Sequence, residues 1–445
     1  MPDSSPSRDD VHPAAPSTHG GSSVDTRESP AETAGTTTAE TPNVTRRRVL
    51  ATLGGGGVAS LAGCPSALTG SSTPLEARWV SDTRTEYGQN HHEIGVVSTG
   101  DGTVIGIPLN DMPGTDGCGM VALDGRGEVR WRDDREMECD PHGIGDMYTG
   151  DVDGDGDPEL LVGTKDAGVL AFDARSGDVA FQQPLIETVP YSAPVVFEDP
   201  VGGERLLATV DNSGTIHVTE GDGSTRWSEA LGATVYPAPL VADLDGDGHQ
   251  EMLVVTGRNP GRVTAFDHEG SVVWETELGD GGREWRLIDR EDGRGVVVST
   301  WGGEVLLLDP PTGDIRWSVS AAYRGVVGAF DGQYVYSSAR NGTVNALDPA
   351  DGSVAWTQDA LDSEGPAVEP TVGNVTGSDA ADVVFASHDG TVGLLDPENG
   401  TIRHEETLDG DLYTPPKAVD LQGNGRDDVV ALYGDGRVAA LSYEE

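Results

Sequence analysis

The chain has 445 residues and a formal net charge of −48, with 76 acidic side chains against 28 basic ones. A field of that sign excludes nucleic acid and anionic membrane surfaces as direct partners. No apolar run approaches the ~18 residues that a membrane-spanning helix needs.

Residues 1–45 are dominated by Ser, Thr, Pro, Asp and Glu, a composition that predicts a disordered arm. Residues 46–64 read differently. Arg46, Arg47 and Arg48 precede a mildly apolar, Gly-rich stretch that ends Leu61-Ala62-Gly63-Cys64. The paired arginines resemble a twin-arginine export signal, and Leu-Ala-Gly-Cys resembles a lipobox. Together they imply export, a lipid on Cys64 and anchoring to the outer face of the cell membrane. Residues 65–74 are then a flexible tether.

From residue 75 onward one phrase recurs: Gly, an alternating strand, Asp, a Gly turn and an aromatic. It reads Gly119 to Trp131, Gly168 to Phe181, Gly214 to Trp227, Gly261 to Trp274, Gly303 to Trp317, Gly342 to Trp356, Gly390 to His404 and Gly436 to Glu445. The closing aromatics or their stand-ins are spaced 39 to 50 residues apart. That period, with four short strands per unit, predicts an all-β, eight-bladed β-propeller of four-stranded antiparallel blades over residues 75–445. The eighth copy stops after its third strand. Leu75 to Val80 carries the same x-x-Trp ending in Trp79, so this N-terminal strand is expected to complete the last blade and remove the open edge.

Propellers bind at the mouth of the central channel, where each blade's outer strand hands over to the next blade's inner strand. Aromatic, His and Arg residues recur at those handovers: His91, His92, His142, Tyr191, Tyr236, Trp285, Arg286, Tyr323, Arg324 and Tyr413. Such a ring suits stacking and hydrogen bonding of a sugar, peptide or planar ligand. The same residues also suit a purely structural role at the start of each inner strand. Cys118 and Cys139 flank the expected fourth strand of the first blade. In an exported chain they are expected to form a disulfide; Asp111, Asp140 and His142 nearby leave a metal site as the alternative.

Between the first and second strands of two blades lies a carboxylate loop. Asp151, Asp153, Asp155, Asp157 and Glu159 form one; Asp243, Asp245, Asp247, His249 and Glu251 form the other. Side-chain oxygens at positions 1, 3, 5 and 9, with a backbone carbonyl at position 7, converge as hard ligands suited to Ca²⁺. Asp420, Gln422, Asn424, Arg426 and Asp428 form a weaker third loop with less charge. These loops resemble the calcium hairpins of FG-GAP repeats in integrin-type propellers, and the ions would be structural.

The Gly-x-Val-x-Ala-Leu-Asp-x-x-x-Gly-x-x-x-Trp unit, as at Gly342 to Trp356, resembles the repeat of pyrroloquinoline-quinone-type β-propellers. That superfamily includes quinoprotein alcohol dehydrogenases and the propeller lipoprotein of outer-membrane assembly. The resemblance implies that the Trp docks on the neighbouring blade and that the Asp-x-x-x-Gly turn links strands three and four. It does not bring the quinone with it, because the adjacent Cys-Cys pair of those enzymes is missing here. An acidic excess of this size on a folded chain also resembles proteins of salt-loving archaea. The expected function is therefore a lipid-anchored cell-surface propeller that binds an exported protein or an extracellular small ligand. A quinone-dependent dehydrogenase is the alternative.

Overall fold

A computed structural model of the chain describes residues 75–444, apart from residues 134, 136–138, 166, 185–191, 199–202, 204, 212, 258–260, 322, 363–364 and 379. The arm, the export motif, Cys64 and the tether lie outside the described residues, as does Tyr191. No helix among the described residues is long and apolar enough to cross a membrane.

The strands group into eight four-stranded antiparallel sheets. Seven are built from consecutive strands, as in blade 2: Ile144–Gly150, Glu159–Thr164, Gly168–Asp173 and Val179–Gln183. Alternating apolar residues explain the strands, and position in the blade explains their burial. Second and third strands are covered on both faces by neighbouring blades, so Glu159–Thr164 is buried along its whole length. Fourth strands alternate, as in Val272–Glu277, because one face looks outward. The cores lie between blades. Ile105 and Leu123 of blade 1 pack in one cluster with Val430, Leu432 and Val438 of blade 8.

One repeated contact joins the blades. In the turn between strands three and four, the leading Asp accepts backbone N–H bonds, as Asp267 does from Glu269 and Ser271. The turn's glycine has a positive φ, 74° at Gly352, and the preceding blade's Trp lies directly on it. A Cβ built on Gly352 would sit 2.6 Å from Trp317; on Gly177 it would sit 2.6 Å from Trp131. In four of these contacts the indole N–H also donates to a carbonyl of that next blade: Trp131 to Ala174 at 3.0 Å, Trp274 to Pro310 at 2.8 Å, Trp317 to Pro349 at 3.0 Å and Trp356 to Pro397 at 2.8 Å. Two blades depart from this scheme. Phe181 stands where a Trp would reach Gly223, which has open space around it. His404 instead packs on Tyr443, with ring centroids 5.0 Å apart.

The eighth sheet contains Lys417–Val419, Asp428–Leu432, Val438–Tyr443 and, as its outer strand, Leu75–Val80. Leu75 pairs with Tyr443 and Val80 with Ala439. Trp79 continues the docking scheme across the seam, where a Cβ on Gly127 of blade 1 would lie 2.5 Å from its ring. The ring is closed by the two ends of the propeller, as the repeat count requires.

In blade 1 the third strand is Gly119–Asp124 and the fourth is Val129–Arg132. Cys118 and Cys139 therefore bracket both outer strands, not the fourth alone. The sulfurs are bonded, with the Cα atoms 5.6 Å apart.

Candidate functional site

Strand order sorts the loops onto two faces. Turns between strands one and two open on one face; blade-to-blade handovers and turns between strands two and three open on the other. The handovers converge on a cavity of about 500 Å³ at the channel mouth. Its walls come from blades 1, 2, 4, 5, 7 and 8 and the segments leading into them.

One wall is imidazole. His91 and His92 lie just before the first strand of blade 1, and His142 lies just before that of blade 2. One ring nitrogen from each lies within 4.8 Å of the others. His91 Nδ1 donates to the Gln89 carbonyl at 3.0 Å, and His92 Nδ1 to Asp146 Oδ1 at 3.2 Å. The same carboxylate oxygen accepts the Glu93 backbone N–H at 3.0 Å. Burial pushes the His91 and His142 imidazoles below the ordinary histidine range, and the neighbouring His92 adds to the effect.

The facing wall is aromatic and charged. Arg283 lies with its guanidinium 4.7 Å from the Trp301 ring centre. It donates to the carbonyls of Arg324 at 2.6 Å, Gly325 at 3.0 Å and Ala367 at 3.2 Å. One side chain thus ties together the handovers of blades 5, 6 and 7. Tyr236 meets Trp301 edge-on, with centroids 6.0 Å apart, and Tyr413 meets His388 in the same way at 4.9 Å. Glu284 pairs with Arg286 at 2.8 Å, and Glu93 is ion-paired with Lys417. Burial raises Glu369 to about 7, and the like charges of Glu284 and Glu93 reinforce it.

Of the ring expected from the sequence, His91, His92, His142, Tyr236 and Tyr413 line the cavity. Trp285 does not. It sits within the strand Gly282–Arg290, packs into the core between blades 4 and 5, and donates its indole N–H to the Ala238 carbonyl at 2.7 Å. Arg286 stands behind Glu284. Tyr323 is 60% exposed outside the cavity, and Arg324 contributes only its carbonyl, from a backbone with φ of 46°. The handover motifs already contained Glu93, Asp146, Arg283 and Glu284. Trp301 and Glu369 lie outside them and carried no repeat signal.

The carboxylate loops lie on the opposite face. Asp151, Asp153 and Glu159 bring oxygens within 4.8 Å of one another, as do Asp243, Asp245 and Glu251. In both, the closing Glu accepts a loop N–H at 2.7 Å, from Val152 and Leu244. Burial raises Glu159 to about 7 and Glu251 upward as well. The loops differ at position 1. Arg205 forms an ion pair with Asp151 at 3.0 Å, whereas Arg294 reaches only the Asp243 backbone carbonyl, also at 3.0 Å. Asp157 at position 7 turns its carboxylate away to Arg175, and His249 stacks on His268. In the third loop the Gln422 amide donates to Asp428 at 3.1 Å, and Ser442 donates to the same carboxylate. Asp420 accepts N–H bonds from Asn424 at 3.0 Å and Gly425 at 2.7 Å, while the Asn424 side chain accepts from the Arg426 backbone. Neutral donors, and Arg78 at 3.8 Å from Asp428, thus surround its carboxylates.

A family model described as outer membrane protein assembly factor BamB matches residues 116–284 and again 259–445. The chain belongs to this BamB-like family of PQQ-type repeat propellers. No curated protein sequence matches it significantly. Among solved structures, BamB from Moraxella catarrhalis is 18% identical with a TM-score of 0.58, over 83% of this chain and 98% of that one. The computationally designed protein Ika8 reaches a TM-score of 0.60 at 16% identity, over 84% of this chain and 100% of its own. Quinohemoprotein alcohol dehydrogenase from Comamonas testosteroni reaches 0.60 at 12% identity, over 83% of this chain and 76% of that one. At these identities the likeness concerns the fold. Of the carboxylates that line the cavity, Glu93 and Glu284 are neutralised by Lys417 and Arg286, while Asp146 faces His92 and Glu369 lies beside Glu284.

Proposed function

We propose that this protein is an exported, lipid-anchored, cell-surface propeller that serves as a protein-interaction scaffold. Its channel mouth is the binding site for an exported protein segment or an extracellular small ligand. The observation that carries this reading is the concave mouth itself. Tyr236, Trp301 and Tyr413 offer apolar faces beside convergent polar groups, which is the composition of a binding pocket. Membership of a family described as an assembly factor supports a protein partner. The twin-arginine motif and Cys64 support export and anchoring.

Capture from envelope fractions at native salt tests the reading, with full-length protein as bait. The expected result is a partner retained by the wild type and by Val272→Ser on the outer rim, but lost by Tyr236→Ala and Trp301→Ala. A partner retained equally by the pocket variants would place binding elsewhere.

The blade 2 and blade 4 carboxylate loops are proposed to hold structural Ca²⁺. A bound ion reverses the mutual repulsion of the carboxylates and stabilises the folded state by mass action, by about 2.7 kcal/mol at a hundredfold excess over Kd. Chelation at fixed ionic strength is expected to lower the melting temperature, and Asp245→Ala to remove one ion. Among the described residues no arginine pairs with the Asp243 carboxylate of blade 4, so that loop should show the larger dependence. Stripped protein that takes up no Ca²⁺ at millimolar concentration would refute the assignment.

A further inference from the structure

We propose that His91, His92 and His142 form a binding site for a divalent transition-metal ion of the zinc or copper class, at the wall of the channel mouth. Three imidazoles from two separate handovers are gathered so that one nitrogen of each lies within 4.8 Å of the others. Tetrahedral Zn–N bonds of about 2.0–2.1 Å require nitrogens roughly 3.4 Å apart. Metal binding would draw the rings together over that difference.

The surroundings are those of a ligating histidine set. A carboxylate and a carbonyl can only accept, so the Nδ1 atoms of His92 and His91 carry the protons toward Asp146 and Gln89. In these two rings the lone pair is then on Nε2. A carboxylate behind a metal-binding imidazole fixes ring orientation and raises ligand basicity. Asp146 Oδ1 also holds the Glu93 backbone, so one group orients His92 and registers the two handovers.

The loops are pinned besides. The disulfide Cys118–Cys139 ends three residues before His142. Asn110 exchanges two bonds with Ile144, donating to its carbonyl at 3.0 Å and accepting its N–H at 2.9 Å. Buried Asn90 donates to the Pro108 carbonyl at 3.0 Å, immediately before His91. Bracing of this kind preorganises a ligand set. The three residues line the cavity, so a small molecule or peptide group in it that carries a lone-pair donor could complete the coordination. Imidazole nitrogen suits zinc, copper and nickel, while the oxygen loops on the opposite face suit calcium; the two classes of ion are separated by donor type and by face. The metal site stands whether or not a protein docks at the mouth.

The test uses the full chain, purified without a polyhistidine tag, stripped with chelator and titrated with Zn²⁺ in excess Ca²⁺. Co²⁺ serves as the spectroscopic reporter. The expected result is one Zn²⁺ per chain, with visible d–d bands on Co²⁺ loading. Both are lost in His91→Ala and His142→Ala and kept in His249→Ala. Asp146→Asn is expected to weaken binding about 10–100-fold. Circular dichroism and the melting temperature identify any variant that fails to fold, in which case His142→Gln replaces His142→Ala. Absence of Zn²⁺ uptake by the wild type, or uptake unchanged in the His91→Ala/His142→Ala double variant, would overturn the proposal.

Discussion

Glu369 shows what a single side chain contributes at the channel mouth. Its pKa is raised to about 7, first by burial and then by Glu284 and Glu93, while Arg283 and Arg286 pull the other way. A carboxylic acid whose pKa is higher folded than unfolded favours the folded state when protonated. That contribution is complete below the ordinary glutamate range, near pH 4, and is lost as pH rises through about 7. Glu369→Gln keeps the neutral shape at every pH. Its melting temperature is therefore expected to match the wild type at pH 4 and below, to exceed it increasingly as pH rises to about 7, and to keep a level difference above that. Parallel melting curves across that range check this, and a difference constant over the whole of it would assign the effect to packing.

At the scale of the strand and its turn, the Trp-on-Gly contact sets blade spacing. Gly352 carries two constraints, a φ of 74° and Trp317 at 2.6 Å from any added Cβ; Gly223 carries only a φ of 84°, with open space around it. Gly223→Ala should cost about 1–2 kcal/mol for the left-handed backbone. Gly352→Ala should cost that plus about 1–3 kcal/mol for displacing the indole. Urea unfolding of both variants under one salt condition measures the difference. This contact also explains what could be read in advance. Trp and Gly recur because six of the eight blade junctions use both, so blade number, period and the closing Trp79 were visible in the sequence. The handovers were visible too, because Pro, His and Tyr cluster there. Side-chain direction was not. Trp285 lies at a handover, but strand Gly282–Arg290 begins before it, and the two-residue alternation turns the indole to the core. Trp301 reaches the cavity from a turn between strands two and three, where nothing repeats. Gln422 was legible as an oxygen at a ligand position, but its amide nitrogen is what meets Asp428.

For the whole molecule, the net charge sets the dependence on salt. With 76 acidic residues against 28 basic ones, the folded state concentrates like charge that the unfolded chain would spread out. Screening at molar salt shortens the Debye length to about 3 Å and removes most of that repulsion. The melting temperature is expected to rise steadily from dilute buffer into molar KCl. Differential scanning calorimetry at constant free Ca²⁺ separates screening from ion binding; indifference to salt would mean that the local ion pairs already balance the surface.

The closed ring also has a mechanical seam. Each blade is continuous chain except the eighth, where Leu75–Val80 is held to Val438–Tyr443 only by pairing and packing. Any force that reaches the propeller through its N-terminal connection arrives first at the Leu75–Tyr443 pair, at the end of that strand. Backbone pairs there would separate in succession, as in a zipper. The fully buried Leu75 side chain is first in line, and Trp79 on Gly127 is near the last. The seam is the fuse of the ring: tension would open it before any blade lost its interior, and release would let the same five residue pairs close it again.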